Sequence, residues 1–144
     1  MYRNILLPID IDALGTARRC LKPAVEMARL NKDTRVHLLA VLPGFNMPIV
    51  SNYFDQSLMD KAREEAEQIM ESFVKEDVPD DIQVVTHISI GAPFKRILKE
   101  INLLRADLVI MSANSSERKD RFFLGHVSSK LAEHSPASVM IIKD

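Results

Sequence analysis

The sequence predicts a doubly wound α/β fold, a five-stranded parallel sheet with helices on both faces. Three observations predict it. Five short apolar runs alternate with four longer segments of helical period, so the chain reads βαβαβαβαβ. Four of the five runs are apolar almost throughout, as strands buried on both faces of a parallel sheet are. Each parallel connection needs a crossover of a dozen or more residues and should be right-handed, and the helical segments supply those crossovers.

The elements follow in chain order. Residues 2–10 hold the first run, centred on Ile5-Leu6-Leu7. Residues 16–31 place Leu21, Ala24, Val25, Met27 and Ala28 near one stripe, which makes an amphipathic helix. Residues 35–42 form the second run, from Arg35 to Leu42. A long, unusually apolar connection of residues 43–54 comes next and contains Phe45, Tyr53 and Phe54. Residues 56–75 set Leu58, Ala62, Ala66, Ile69, Met70 and Phe73 at three- and four-residue steps, with charges opposite. The third run, Val84–Ile90, alternates Val85, His87 and Ser89 against Val84, Thr86 and Ile88, as a half-exposed edge strand does. Pro93 marks the start of a helix over 93–104, with Phe94, Ile97, Leu98, Ile101 and Leu104 as its apolar stripe. Leu108–Met111 is the fourth run. A second long connection, residues 112–124, is polar and basic before Phe122-Phe123-Leu124. Residues 126–134 read as the last helix, with Val127 and Leu131 inward and His134 beside them. Val139–Ile142 is the final strand.

Composition narrows the function. With 144 residues the chain is expected to be one domain, residues 1–144, large enough to bury about 68–70% of its unfolded surface. One cysteine, Cys20, excludes a disulfide framework and a multi-cysteine metal cluster. A formal net charge of −1 argues against nucleic acid as partner. No run is long enough to span a bilayer, and no targeting segment is evident, so a cytoplasmic protein without membrane contact is expected. His37, His87 and His134 fall on different elements without a helical i, i+4 pair, which argues against a metal site. Cys20 stands among Arg18, Arg19 and Lys22, cations that lower a thiol pKa, although a half-buried helix residue explains it as simply. No base–nucleophile pair or carboxylate dyad stands out, so an enzyme is not expected.

Open α/β sheets bind ligands at the carboxyl ends of their strands, where strand order reverses. If the chain winds outward from its first strand and then returns, Pro8-Ile9-Asp10 and Met111-Ser112-Ala113 become neighbours and define the cleft.

Several segments carry a family resemblance over the whole length. They are Ile5-Leu6-Leu7-Pro8-Ile9-Asp10, Gly91-Ala92-Pro93, Ala106-Asp107-Leu108-Val109-Ile110-Met111, and the ending from Phe123-Leu124-Gly125-His126 to Ile142. Together and in order they resemble the universal stress protein family. The resemblance implies strand order 3-2-1-4-5 and a homodimer joined through the C-terminal strand, whose apolar edge would otherwise lie open. It also implies an adenine-nucleotide site that takes ATP with Mg²⁺.

In nucleotide-binding members, a glycine, two residues, a second glycine, nine residues, then glycine with a hydroxyl residue form the phosphate loop. The matching positions here are Ser112, Ser115, then Gly125 with His126. The spacing is kept, but two glycines and the hydroxyl are replaced. A serine at a left-handed position would cost roughly 1–2 kcal/mol. Asp10 matches the aspartate that faces adenosine, and Val41 matches a residue that contacts the base. Arg118 stands in the loop within reach of phosphates by its position. With Arg118 added from its loop position and not from the family motif, the expected set is Pro8, Ile9, Asp10, Val41, Met111, Ser112, Ala113, Ser115, Arg118, Gly125, His126, Val127 and Ser128. Two functional readings remain open. One is a stress-response regulator that responds to a bound adenine nucleotide. The other is a dimeric interaction module of the same fold that binds protein partners and no nucleotide.

Overall fold

A computed structural model describes residues 1–44, 51–113 and 126–143, with backbone alone for 51–55. The elements run β1 (Asn4–Ile9), α1 (Leu14–Leu30), β2 (Arg35–Leu42), α2 (Ser51–Asp77), β3 (Gln83–Ile90), α3 (Pro93–Leu104), β4 (Leu108–Ser112), α4 (His126–His134) and β5 (Ser138–Ile142). The five strands form one sheet in the order β3-β2-β1-β4-β5, and every pair is parallel. This is the doubly wound architecture that the apolar runs predict.

Side chains alternate across each strand, so the sheet divides the core in two. Ile5, Leu7 and Ile9 of β1 and Val36, Leu38 and Ala40 of β2 pack against Ala17, Leu21, Ala24 and Val25 of α1 and Met70 and Phe73 of α2. Leu6 of β1, Leu39 of β2 and Val109 and Met111 of β4 pack against Ile97 and Ile101 of α3 and Val127 and Leu131 of α4. The central strands are therefore apolar along most of their length because both faces are covered, with Asn4, His37 and Ser112 among the polar exceptions. β3 at one edge is mostly exposed or half-buried, which accounts for its alternating sequence. β5, at the other edge, is half-buried from Val139 to Ile142.

The structure differs from the sequence expectation in four places. The second helix begins at Ser51, so the last part of the expected connection over 43–54 is helical. From Ser51 to Asp77 the chain holds neither glycine nor proline, so no residue there breaks a helix before Pro79. His134 is exposed rather than aligned with Leu131, because α4 ends there; its ring meets Phe94 edge-on at 6.0 Å. Cys20 is fully buried rather than half-buried, inside the α1 face of the core. Burial pushes its thiol up to about 11, which Arg19 offsets only in part, so it is an inert packing residue. His37 and His87 lie on different strands as expected, yet their rings are in contact.

Two local devices hold the sheet in place. Asp107, just before β4, accepts the backbone N–H of Arg3 at 2.8 Å on Oδ2 and that of Asn4 at 3.1 Å on Oδ1. Its own N–H donates to the Asn4 carbonyl at 3.0 Å, and its carbonyl accepts from Ser138 at 3.2 Å. One residue therefore registers β4 against both of its neighbours. At the opposite ends of the strands, Gly91 has φ +142° and donates to the Leu42 carbonyl at 2.9 Å. A Cβ there would lie 2.8 Å from Arg96 Nε, a contact that the flexible guanidinium arm can relieve, so it is the positive φ that makes the corner between β3 and α3 require glycine.

Candidate functional site at the strand ends

The strand order reverses at β1, which lies between β2 and β4. β1 and β4 pair as Ile5 with Leu108 and Leu6 with Val109, although both strands continue beyond that point. Pro8 has no N–H to extend a ladder. The carboxyl ends of β1 and β4 therefore part, and this opening is where doubly wound sheets receive ligands.

The expected site residues fall into three groups. Val41, Met111 and Val127 come together, since all three belong to the apolar cluster on the α3–α4 face of the sheet. Pro8 shares that face with Leu6 by alternation along β1. Ile9 does not join them, because its side chain points into the opposite core. Ser112 ends β4 and is buried, and the Ala113 N–H beyond it donates to the Ile142 carbonyl at 3.0 Å. Ser128 is buried in the first turn of α4, and His126 stands exposed at that helix's first position. Ser115, Arg118 and Gly125 lie outside the described residues, as do Phe45 and the side chains of Tyr53 and Phe54.

Asp10 follows β1 directly. Its Oδ1 accepts the Asp12 N–H at 2.9 Å, and its carbonyl accepts the Ala13 N–H at 2.9 Å. This Asx-type turn reverses the chain into α1 directly after the carboxyl end of β1. The turn role and a ligand role are compatible, since a carboxylate has about four lone-pair directions.

Ser112 changes one expectation about the phosphate loop. It is the last residue of a strand, and among the described residues Arg105 is the one non-glycine with positive φ. The left-handed penalty expected for a serine in place of glycine therefore does not arise at Ser112. The first departure from the glycine pattern is conformationally neutral.

The His37–His87 contact escaped the sequence reading. Both residues occupy odd positions in strands paired Leu39 to His87, so the pattern places them on one face. The signal was register, which a sequence does not display until the strand order is known. Among the described residues no group of three or more His, Cys, Asp or Glu side chains is placed to hold a metal ion. No helix among them is long and apolar enough to cross a membrane.

Comparison with known proteins matches this geometry. A Staphylococcus aureus (strain USA300) protein assigned by name to the universal stress proteins is 25% identical over 146 aligned residues, covering 99% of this chain and 84% of its own. The solved structure of hypothetical protein MJ0577 superimposes with a TM-score of 0.82 at 29% identity, covering 100% of this chain and 97% of the other. A universal stress protein from Archaeoglobus fulgidus, solved in complex with dAMP, superimposes with a TM-score of 0.65 at 20% identity, covering 99% of this chain and 98% of the other. Another universal stress protein was solved with cAMP; its TM-score is 0.58 at 15% identity, with coverage of 99% and 97%. The model of the universal stress protein family itself matches residues 1–143. With a family match over nearly every residue and the sheet order that the motifs imply, the chain belongs to the universal stress protein family.

Proposed function

We propose that this chain is a cytoplasmic regulatory protein that binds an adenine nucleotide, ATP with Mg²⁺, where the carboxyl ends of β1 and β4 part. The feature that supports this reading is topological: Asp10 follows β1, Val41 lies near the end of β2 and Ser112 ends β4, all at the carboxyl side of the sheet where the strand order reverses. Val41, half-buried near the end of β2, offers an apolar surface to a base, with Met111 buried behind it in the same cluster. Asp10 is placed to accept a ribose hydroxyl. The amino end of α4 carries the positive end of the helix dipole, which suits phosphate. The dAMP and cAMP complexes of similar proteins support the same ligand class.

The experiment is direct. Freshly purified protein is denatured and the supernatant examined for ATP, ADP and AMP. The emptied protein is then titrated with Mg·ATP. Binding at millimolar nucleotide or tighter is expected, with Asp10→Ala weakening it at least about tenfold, the loss of one charge-assisted hydrogen bond. No released nucleotide and no binding at millimolar concentration would leave the second reading, an interaction module of the same fold.

The half-buried apolar residues of edge strand β5 favour a homodimer under either reading. Wild-type protein is expected to sediment as a dimer at tens of micromolar, and Met140→Lys as a monomer. A monomeric wild type at that concentration refutes the dimer.

A further inference from the structure

A chain of hydrogen bonds crosses the sheet on the α3–α4 side and ends at the edge strand. Asn4 Nδ2 donates to the Arg105 carbonyl at 3.5 Å, which orients the amide. Asn4 Oδ1 therefore faces His37 Nε2 at 3.1 Å as an acceptor. His37 must carry its proton on Nε2, which leaves Nδ1 as the acceptor for His87 Nε2–H at 3.0 Å. The chain thus links the left-handed residue that ends α3 (φ 52° at Arg105) to β1, β2 and β3 in turn. His37 is 6% exposed, while His87 is half-buried.

Protons disturb this chain in a defined way. A first proton still allows one N–H···N bond between the rings, but it places a positive charge in a poorly hydrated position. A second proton makes both facing nitrogens donors, and the bond is lost. Among the described residues the charges that act on the pair are Arg35 on β2, which opposes protonation of His37, and Glu100 on α3, which favours protonation of His87. Asn4 on β1 contributes a neutral amide. Both imidazoles are held below their ordinary range, chiefly by burial. On the same face of β3 the neighbouring Val85 is exposed, so β3 has little apolar cover there to replace the bond.

We propose that the His37–His87 contact is a proton-operated latch that reinforces the eight-pair β2–β3 ladder at neutral pH and loosens edge strand β3 on acidification. β1 and β4, buried in the centre, are not loosened with it. A device of this kind makes one edge of the sheet responsive to acid.

The test is NMR of the whole chain without added ligand. The imidazole C–H shifts of wild-type protein are followed from pH 8 to pH 4, and amide exchange is measured at pH 7.5 and 4.5. His37 is expected to remain neutral until well below pH 6. Protection of β3 amides, corrected for intrinsic exchange, is expected to fall at least about tenfold further than that of β1 amides. In His87→Phe this difference between strands should shrink to less than about twofold. The latch is refuted if His37 titrates at or above its ordinary value. It is also refuted if β3 and β1 lose protection equally, or if the Phe variant keeps the wild-type response. The wild-type titration and the strand comparison need no variant to fold.

Discussion

Lowering the pH from 7.5 to 4.5 is expected to cost the wild-type protein roughly 2–3 kcal/mol more stability than it costs a His37→Asn variant. The figure comes from one residue. The His37 imidazole is held down to about 4 by burial, by its neighbour His87 and by Arg35, against 6.5 for a free imidazole. The folded state therefore favours neutral His37. Above the unfolded value neither state binds the proton, and the full contribution is present. Between 6.5 and about 4 the unfolded chain binds protons that the folded chain refuses, so stability falls as pH falls. Below about 4 both states are protonated, and His37 costs nothing further. His87 is also held down, mainly by burial with Glu100 opposing; it lowers acid stability in both proteins and so drops out of the comparison. Carboxylates contribute to acid unfolding in both proteins and cancel in the comparison. Urea unfolding at the two pH values measures it. Equal losses in wild type and variant would mean that His37 is not held neutral by the fold.

That prediction rests on a feature the sequence concealed, and the reason is physical. Burial on two faces leaves a direct mark on composition, so Leu6, Leu38 and Ile110 announce central strands by being apolar beside apolar neighbours. Amphipathic period does the same for Ile97 and Ile101 of α3. The opening between β1 and β4 was legible because strand order follows from the family motifs, and strand ends then define the mouth. Contacts across strands are different. His37 and His87 are 50 residues apart and meet only because β2 and β3 pair in one register, with the two rings diagonal to each other. Nothing in the local pattern around either residue encodes that register. Ser112 shows the same limit in conformation. Its identity suggested strain, whereas its place at the end of a strand removes the demand for positive φ.

Asp107→Ala is expected to destabilise the protein by about 2–3 kcal/mol, and Asp107→Asn by about half as much. The motif residue before β4 is not part of the ligand opening, since it lies at the amino ends of the strands. Its carboxylate holds the N–H groups of Arg3 and Asn4 with separate oxygens, at 2.8 and 3.1 Å. These are charge-assisted bonds to backbone donors, stronger than neutral ones. The β1–β4 pairing is short, with two residue pairs in register, so a clamp at its amino end supplies much of what aligns the two strands. Alanine leaves both donors to water at a half-exposed edge, which moderates the cost. Asparagine retains one acceptor oxygen but presents an NH₂ group where the second N–H points, so it preserves one bond and opposes the other. The ordering wild type, Asn, Ala in urea midpoint, with unchanged slope, is the signature of the clamp. Variants within about 0.5 kcal/mol of wild type would reduce Asp107 to an ordinary surface carboxylate. In that case the register of β4 would rest on the packing of Leu108 and Val109 and on the backbone bonds from Asp107 to Asn4 and from Ser138 to Asp107.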